Sequence, residues 1–246
     1  MAGSGASDLV EVMVGALVAM SPERLAAVLG DTPERSAPWV RAAAEWGLAE
    51  AQLRYGRMLL EGQGVTRDPA QALAWFELAA EGGEGEIQAE ARNMVGRCRE
   101  NGWGAPADPA IAAEWYRLAA EAGSAWAQYN LGHLLLDGLG VPRDPKAALT
   151  WYRRAAEQGH PRAMNLVGRC LEQGWGAPKD PAAARDWYRR SAEGGYFRGQ
   201  FNYASVLRAE GRLEEADALF AAALAGAPAI SRGAMTEALA RLKEAA

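Results

Sequence analysis

Asp-Pro occurs at residues 68–69, 108–109, 144–145 and 180–181, and an aromatic pair stands seven residues after each Asp: Trp75-Phe76, Trp115-Tyr116, Trp151-Tyr152 and Trp187-Tyr188. Each pair is followed by a small-residue stretch and a glycine, AAEGG, AAEAG, AAEQG and SAEGG. The spacing is 36 residues, except for 40 between the first two units. A fixed period in this range marks a helical solenoid, in which one supersecondary unit is too small to bury its own apolar face and stacks on its neighbours. The repetition runs deep. Residues 93–110 and 165–182 are identical at fourteen of eighteen positions, and units one and three share GVTRDP and GVPRDP. A two-unit block has been duplicated.

Each unit reads as two helices. In the second, Asp is the N-cap and Pro fits the first turn, where its missing N–H costs nothing. The alanines and the aromatic pair form an apolar stripe, which places Trp75, Trp115, Trp151 and Trp187 in the core. Gly83, Gly123, Gly159 and Gly195 are expected to end these helices in the left-handed conformation. The first helices carry Ala51/Gly56, Ala91/Gly96, Ala127/Gly132 and Ala163/Gly168, which thin one side so that a neighbour can approach closely. Between the helices sit the turns GQGV, GWGA, GLGV and GWGA. The four extra residues fall between Gly83 and Gly96, close to one helical turn, and predict a longer first helix in that unit or a small loop at Gly85.

The ends are less regular. Trp39 to Gly47 has the Trp-to-Gly spacing of the later second helices, so an eroded unit precedes the first clear one, with its first helix expected over Ser21–Leu29. The apolar stretch Leu9–Met20 has no preceding Lys or Arg and is too short to span a bilayer, so it reads as a buried terminal helix, and the protein as cytoplasmic without membrane insertion. The resulting organisation is residues 1–47 as N-terminal cap helices and degenerate repeat, 48–195 as four repeats, 196–228 as a further helical pair, and 229–246 as an amphipathic capping helix.

With a formal charge of −5 and pI ≈ 5.3, the chain lacks the basic balance of a nucleic-acid binder. Its two cysteines, Cys98 and Cys170, occupy equivalent positions two units apart. Helix packing separates such positions by roughly 20 Å, too far for a disulfide, so they read as small buried hydrophobes.

The motif A-x(4)-G, G-x-G-V, D-P and W-Y-x(2)-A-A-E-x-G resembles the Sel1-like repeat (SLR), a relative of the tetratricopeptide repeat, over about residues 48–195. Residues 197–228 look more like an ordinary tetratricopeptide repeat, with Ala204, Gly211, Ala216, Phe220, Ala223 and Pro228 in place. Arg99, Ala105 and Ala177 depart from the pattern. The resemblance implies an all-α, right-handed αα-solenoid whose first helices line a concave groove, and a role as adaptor or scaffold. Some secreted, cysteine-rich relatives are associated with β-lactam binding or hydrolysis. They carry a cysteine pair in each repeat, which this chain lacks.

Chemical constellations are scarce. His133 and His160 stand alone, no metal-spaced Cys/His cluster or phosphate-loop motif is present, and no serine has elbow glycines. No cofactor or metal is implied, and the chain reads as a non-enzyme. The first helices are more informative. Arg57, Arg97, His133 and Arg169 follow the repeat glycine, and Arg54, Asn130 and Asn202 lie three residues before that position. Asn93, Tyr129 and Asn165 lie four before it, so all share one helix face. Arg presents a planar fork to carboxylate or phosphate, and Asn holds a backbone amide through donor and acceptor. The row is similar in residue type to the carboxylate clamps of some tetratricopeptide proteins, which implies a groove for an extended acidic or C-terminal peptide, with Trp126 at its rim. The alternative is that these arginines pair with Glu50, Glu90, Glu100 or Glu172 along the same helices, where exposed pairs contribute little. Trp103 and Trp175, flanked by glycines, either pack on the next turn or face a partner. The expected partner is thus a protein or peptide, with the chain a monomer or weak homo-oligomer. A hydrolase using His133 as base and a self-associating structural protein are the competing readings.

Overall fold

The computed structural model describes residues 12–13, 15–16, 19–21, 27–28 and 30–244. The helices expected over Leu9–Met20 and Ser21–Leu29 lie outside the described residues as elements. From residue 33 onward, twelve helices are delimited among the described residues, in order: α1 Pro33–Glu45, α2 Ala49–Glu61, α3 Pro69–Gly82, α4 Gly85–Asn101, α5 Pro109–Glu121, α6 Ala125–Asp137, α7 Pro145–Glu157, α8 Pro161–Gln173, α9 Pro181–Glu193, α10 Phe197–Ala209, α11 Leu213–Gly226 and α12 Ala229–Glu244. The chain is an all-α solenoid of helix-turn-helix repeats, with no strand among the described residues. It divides into two compact units, Met1–Ala127 with Leu139–Val141, and Gln128–Gly138 with Pro142–Ala246.

In the first unit, Asp68 and Asp108 cap α3 and α5 as expected. The Asp68 carboxylate accepts from Gln71 N–H at 3.0 Å, and Asp108 accepts from Ala110 and Ile111 N–H at 3.0 and 3.1 Å. Their own N–H groups donate to Leu59 and Arg99 carbonyls at 2.8 and 2.7 Å, tying each second helix to the end of the first. The second glycine of each turn is required by packing. A Cβ on Gly104 would stand 2.2 Å from the Pro69 carbonyl oxygen, and one on Gly64 2.3 Å from the Pro33 carbonyl, both at positive φ. Each G-x-G turn therefore seats on the start of the second helix one repeat earlier. The Pro33 contact identifies α1 as such a second helix. Its Thr32-Pro33 stands where later repeats have Asp-Pro, seven residues before Trp39, and Thr32 makes no side-chain cap.

The aromatic pairs split their roles differently from expectation. Phe76 and Tyr116 are fully buried, while Trp75 and Trp115 are half-buried and pack against the outside of that cluster. The reason is the repeat glycine. A Cβ on Gly56 would lie 2.6 Å from the Phe76 ring, and one on Gly96 2.6 Å from the Tyr116 ring, so the second aromatic of each pair fills the thinned side of the first helix. The four inserted residues lengthen α4 to 17 residues, against 13 in α2. They also move the left-handed turn. Gly83 is extended (φ −83°, ψ 165°), contrary to expectation, and Gly85 takes positive φ instead.

The second unit repeats this chemistry. Asp144 and Asp180 cap α7 and α9, Gly176 seats on Pro145, and Tyr152 and Tyr188 are buried against Gly132 and Gly168. Trp151 and Trp187 are again half-buried, each under an arginine, Arg154 at 4.5 Å and Arg190 at 4.2 Å. Helices α10 and α11 close a small core of Ala204, Leu207, Ala216 and Phe220, onto which Leu239 and Leu242 of α12 pack. Arg208 Nε donates to the Leu242 carbonyl at 3.3 Å and anchors the far end of that last helix.

Candidate functional site

The first unit neutralises part of its own share of the predicted row. Arg57 forms an ion pair with Glu90, and Asn93 is 6% exposed, packed within the helix layer. Arg54 and Arg57 line a cavity of ≈180 Å³ together with Asp31 and Glu61, so its charges balance. Arg97 is exposed and lies over the Trp103 ring at 5.3 Å, with Nη1 3.5 Å from Met94 Sδ. Trp126 is 49% exposed.

The second unit is arranged otherwise. Asn202 Nδ2 donates to Asn165 Oδ1 at 2.8 Å, joining α10 to α8 and holding the two predicted amides side by side. Arg169 lies over Trp175 at 5.4 Å, the counterpart of Arg97 over Trp103. Both loop tryptophans are therefore half-buried and face an arginine of the preceding first helix. Glu100 and Glu172, considered above as arginine partners, instead accept from the Tyr116 and Tyr188 hydroxyls at 2.6 and 3.1 Å. Tyr129 and His133 meet edge to face at 4.7 Å, and Asn130 beside them is half-buried. His160 is buried and serves as a helix cap, its Nδ1 accepting from Ala163 N–H at 3.2 Å. Burial, followed by the charge of Arg162, pushes its pKa down to about 4.

Two cavities open on this face. One, of ≈290 Å³, lies between α6 and α8 and is lined by His133, Asp137, Arg143, Arg169 and Trp175. The other, of ≈670 Å³, is lined by Asn165, Arg169, Arg198, Phe201 and Asn202, and on its other wall by Ile230, Ala234, Met235 and Ala238 of α12. The last helix thus does more than close the end of the array. Its 230–234–238 stripe walls a cavity, while Leu239 and Leu242 anchor it on α10 and α11. Arg143, Arg198 and this wall were missed from sequence. The helical spacing of Ile230, Ala234 and Ala238 was the available signal, but it does not say which helix that stripe faces.

Among the described residues no carboxylate lies within ion-pair distance of Arg143, Arg169 or Arg198. Nor is any group of His, Cys, Asp and Glu among them arranged to hold a metal ion, and no helix is long and apolar enough to cross a membrane.

Residues 49–84, 89–124, 127–160 and 161–196 each match the Sel1 repeat model, together more than half of the chain. The chain belongs to the Sel1 repeat family. Its Sel1 repeats begin with α2 and end after α9, and the four residues between the first two matches lie at the start of the lengthened α4. A Sel1 repeat protein from Oxalobacter formigenes is similar in structure, with TM-score 0.70, 28% identity, and coverage of 77% of this chain and 76% of that one. A protective antigen of uropathogenic Escherichia coli displaying an SLR fold is similar with TM-score 0.69 and 30% identity over 81% of this chain. The alignment covers 44% of that antigen, so this Sel1 repeat chain spans under half its length. An immunity protein from Pseudomonas aeruginosa shares the fold at TM-score 0.51 and 18% identity, over 72% of this chain and 66% of its own.

Proposed function

We propose that this Sel1 repeat protein is a non-catalytic scaffold that holds an acidic or C-terminal protein segment on the first-helix face of its second unit. The observation that carries this reading is the set of arginines there. Arg143, Arg169 and Arg198 line cavities without a carboxylate partner among the described residues, in a chain of net charge −5. Several arginines elsewhere pair locally, as in Arg57–Glu90 and Arg99–Glu77, while Arg97, Arg154 and Arg190 lie over tryptophan rings. Arg169 is half-buried beside apolar walls, where a bidentate contact to a carboxylate is strengthened, and Arg143 and Arg198 are exposed donors beside it. The joined Asn165–Asn202 amides add neutral hydrogen-bonding capacity for a peptide backbone. Arg97 over Trp103 offers a comparable, smaller feature in the first unit.

Affinity capture from the source cell's lysate tests the reading. The baits are wild type, Arg169→Glu and Arg97→Glu, each shown by circular dichroism to keep its helix content. A protein retained by wild type and lost with Arg169→Glu is the expected result. Retention of the same protein by wild type and Arg169→Glu rules the second-unit face out.

A further inference from the structure

Arg169 lines both cavities of the second unit. On one side the ≈290 Å³ cavity is walled by Leu136, Leu166 and Trp175, and on the other the ≈670 Å³ cavity is walled by Phe201, Ala234 and Met235. A cation with apolar pockets on both sides calls for a ligand of matching pattern. Resting on the scaffold reading above, we propose that the second unit recognises an extended, polyproline-II-like segment with two apolar side chains three positions apart and acidic residues between them. Arg169 holds the acid, and each cavity takes one apolar side chain.

The spacing follows from helix packing. One cavity lies between α6 and α8 and the other between α8 and α10, so their centres are separated by about one interhelix distance, roughly 8–10 Å. A segment in polyproline-II geometry has three residues per turn and rises about 3.1 Å per residue, so side chains three positions apart share a face and stand about 9 Å apart, matching that distance. Charge selects the central residues. Arg143 and Arg198 flank the same path, and among the described residues Asp137 is the one carboxylate lining either cavity. The α12 wall makes the larger cavity depend on the C-terminal helix, which becomes a specificity element rather than only a cap.

The probe is a fluorescein-labelled, C-terminally amidated nonapeptide with a Leu-Glu-Glu-Leu core in a Gly/Ser frame, a core that reads alike in both chain directions. Binding is followed by fluorescence anisotropy with the full chain. Peptides with Leu-Gln-Gln-Leu or Ser-Glu-Glu-Ser cores are each expected to bind at least tenfold more weakly, and Arg169→Gln to weaken the parent peptide at least tenfold. Ala234→Phe fills the larger cavity from an exposed helix position and is expected to weaken the parent peptide about tenfold, leaving the Ser-flanked peptide unchanged. Loss with Gln cores and Arg169→Gln, but none with Ser flanks or Ala234→Phe, overturns the two-pocket pattern and leaves the acidic-segment reading standing. Indifference of the bound parent peptide to Arg169→Gln overturns both. Absence of binding to wild type overturns the two-pocket pattern and leaves the scaffold reading to the capture experiment.

Discussion

The Tyr188 hydroxyl donates to Glu172 Oε2 at 3.1 Å, sixteen residues back on the preceding first helix. Tyr116 makes the same bond to Glu100 at 2.6 Å. The repeats between and before them have Leu136 and Leu60 at the glutamate position. Where Leu60 stands, the aromatic is Phe76, which has no hydroxyl to bury. Where Leu136 stands, the aromatic is still a tyrosine, and among the described residues the buried Tyr152 hydroxyl has no hydrogen-bond partner.

This mismatch separates three substitutions that look alike in sequence. Tyr116→Phe and Tyr188→Phe each remove a bond to a carboxylate and are expected to cost about 1–2 kcal/mol. Tyr152→Phe removes an orphaned hydroxyl and is expected to be neutral or stabilising by up to about 1 kcal/mol. Urea midpoints for the three variants decide it. A Tyr152→Phe protein as destabilised as the other two would mean that its hydroxyl is satisfied.

The repeat glycines give a second contrast. A Cβ on Gly132 would stand 2.5 Å from Tyr152 Cε1, whereas nothing lies within 4 Å of one on Gly233 in α12. Alanine in a helix gains about 1 kcal/mol over glycine, and overpacking a rigid core costs about 1–3 kcal/mol or more. Gly132→Ala is therefore expected to lower stability by about 1–2 kcal/mol net. Gly233→Ala is expected to raise the stability of the last helix by about 0.5–1 kcal/mol, read as slower amide exchange across 229–244. Equal, small effects from both changes would show that the Tyr152 ring has room to move.

Much of the fold was legible because its signals are local and repeated. Asp-Pro caps, G-x-G turns and the Ala/Gly stripe each act within a few residues of themselves, and the period sets what stacks on what. The Trp–Tyr role reversal was not legible, since both residues of a pair are apolar and adjacent. Only the depth of the glycine groove decides which one enters. The Thr32-Pro33 start of α1 lacks the Asp that marks its counterparts, so the period alone, counted back from Trp39, would have found it. The candidate site was half legible. Helix-face arithmetic grouped Asn165, Arg169 and Asn202, which do come together. It could not say that Arg57 would be neutralised by Glu90 across neighbouring helices, or that α12 would supply the opposite wall, because both depend on contacts between elements.

Cys98 and Cys170 are both free, fully buried thiols. Burial pushes each up to about 11, so almost no thiolate exists at neutral pH. Both are expected to resist Ellman's reagent at pH 8 in the native protein and to react together in 6 M guanidinium chloride. Native reaction at the rate of a free peptide thiol would contradict this burial.

His160 gives the fold a defined pH dependence. As N-cap of α8 its Nδ1 accepts from Ala163 N–H, which requires the neutral ring, and its pKa sits at about 4 against an ordinary value near 6.5. Between those values the unfolded chain takes up a proton that the folded chain does not. The stability contributed by the neutral cap is therefore fully present above about pH 6.5, declines as pH falls, and is gone near pH 4. Partial solvation reduces the full linkage value, leaving a loss of about 1–2 kcal/mol over that window. His160→Asn keeps a capping acceptor that does not titrate. It is expected to match wild type within about 0.5 kcal/mol at pH 7.5 and to lose less stability between pH 7 and pH 4.5. Parallel urea titrations across this range measure the difference in slope, and identical slopes would assign the acid sensitivity to the carboxylates instead.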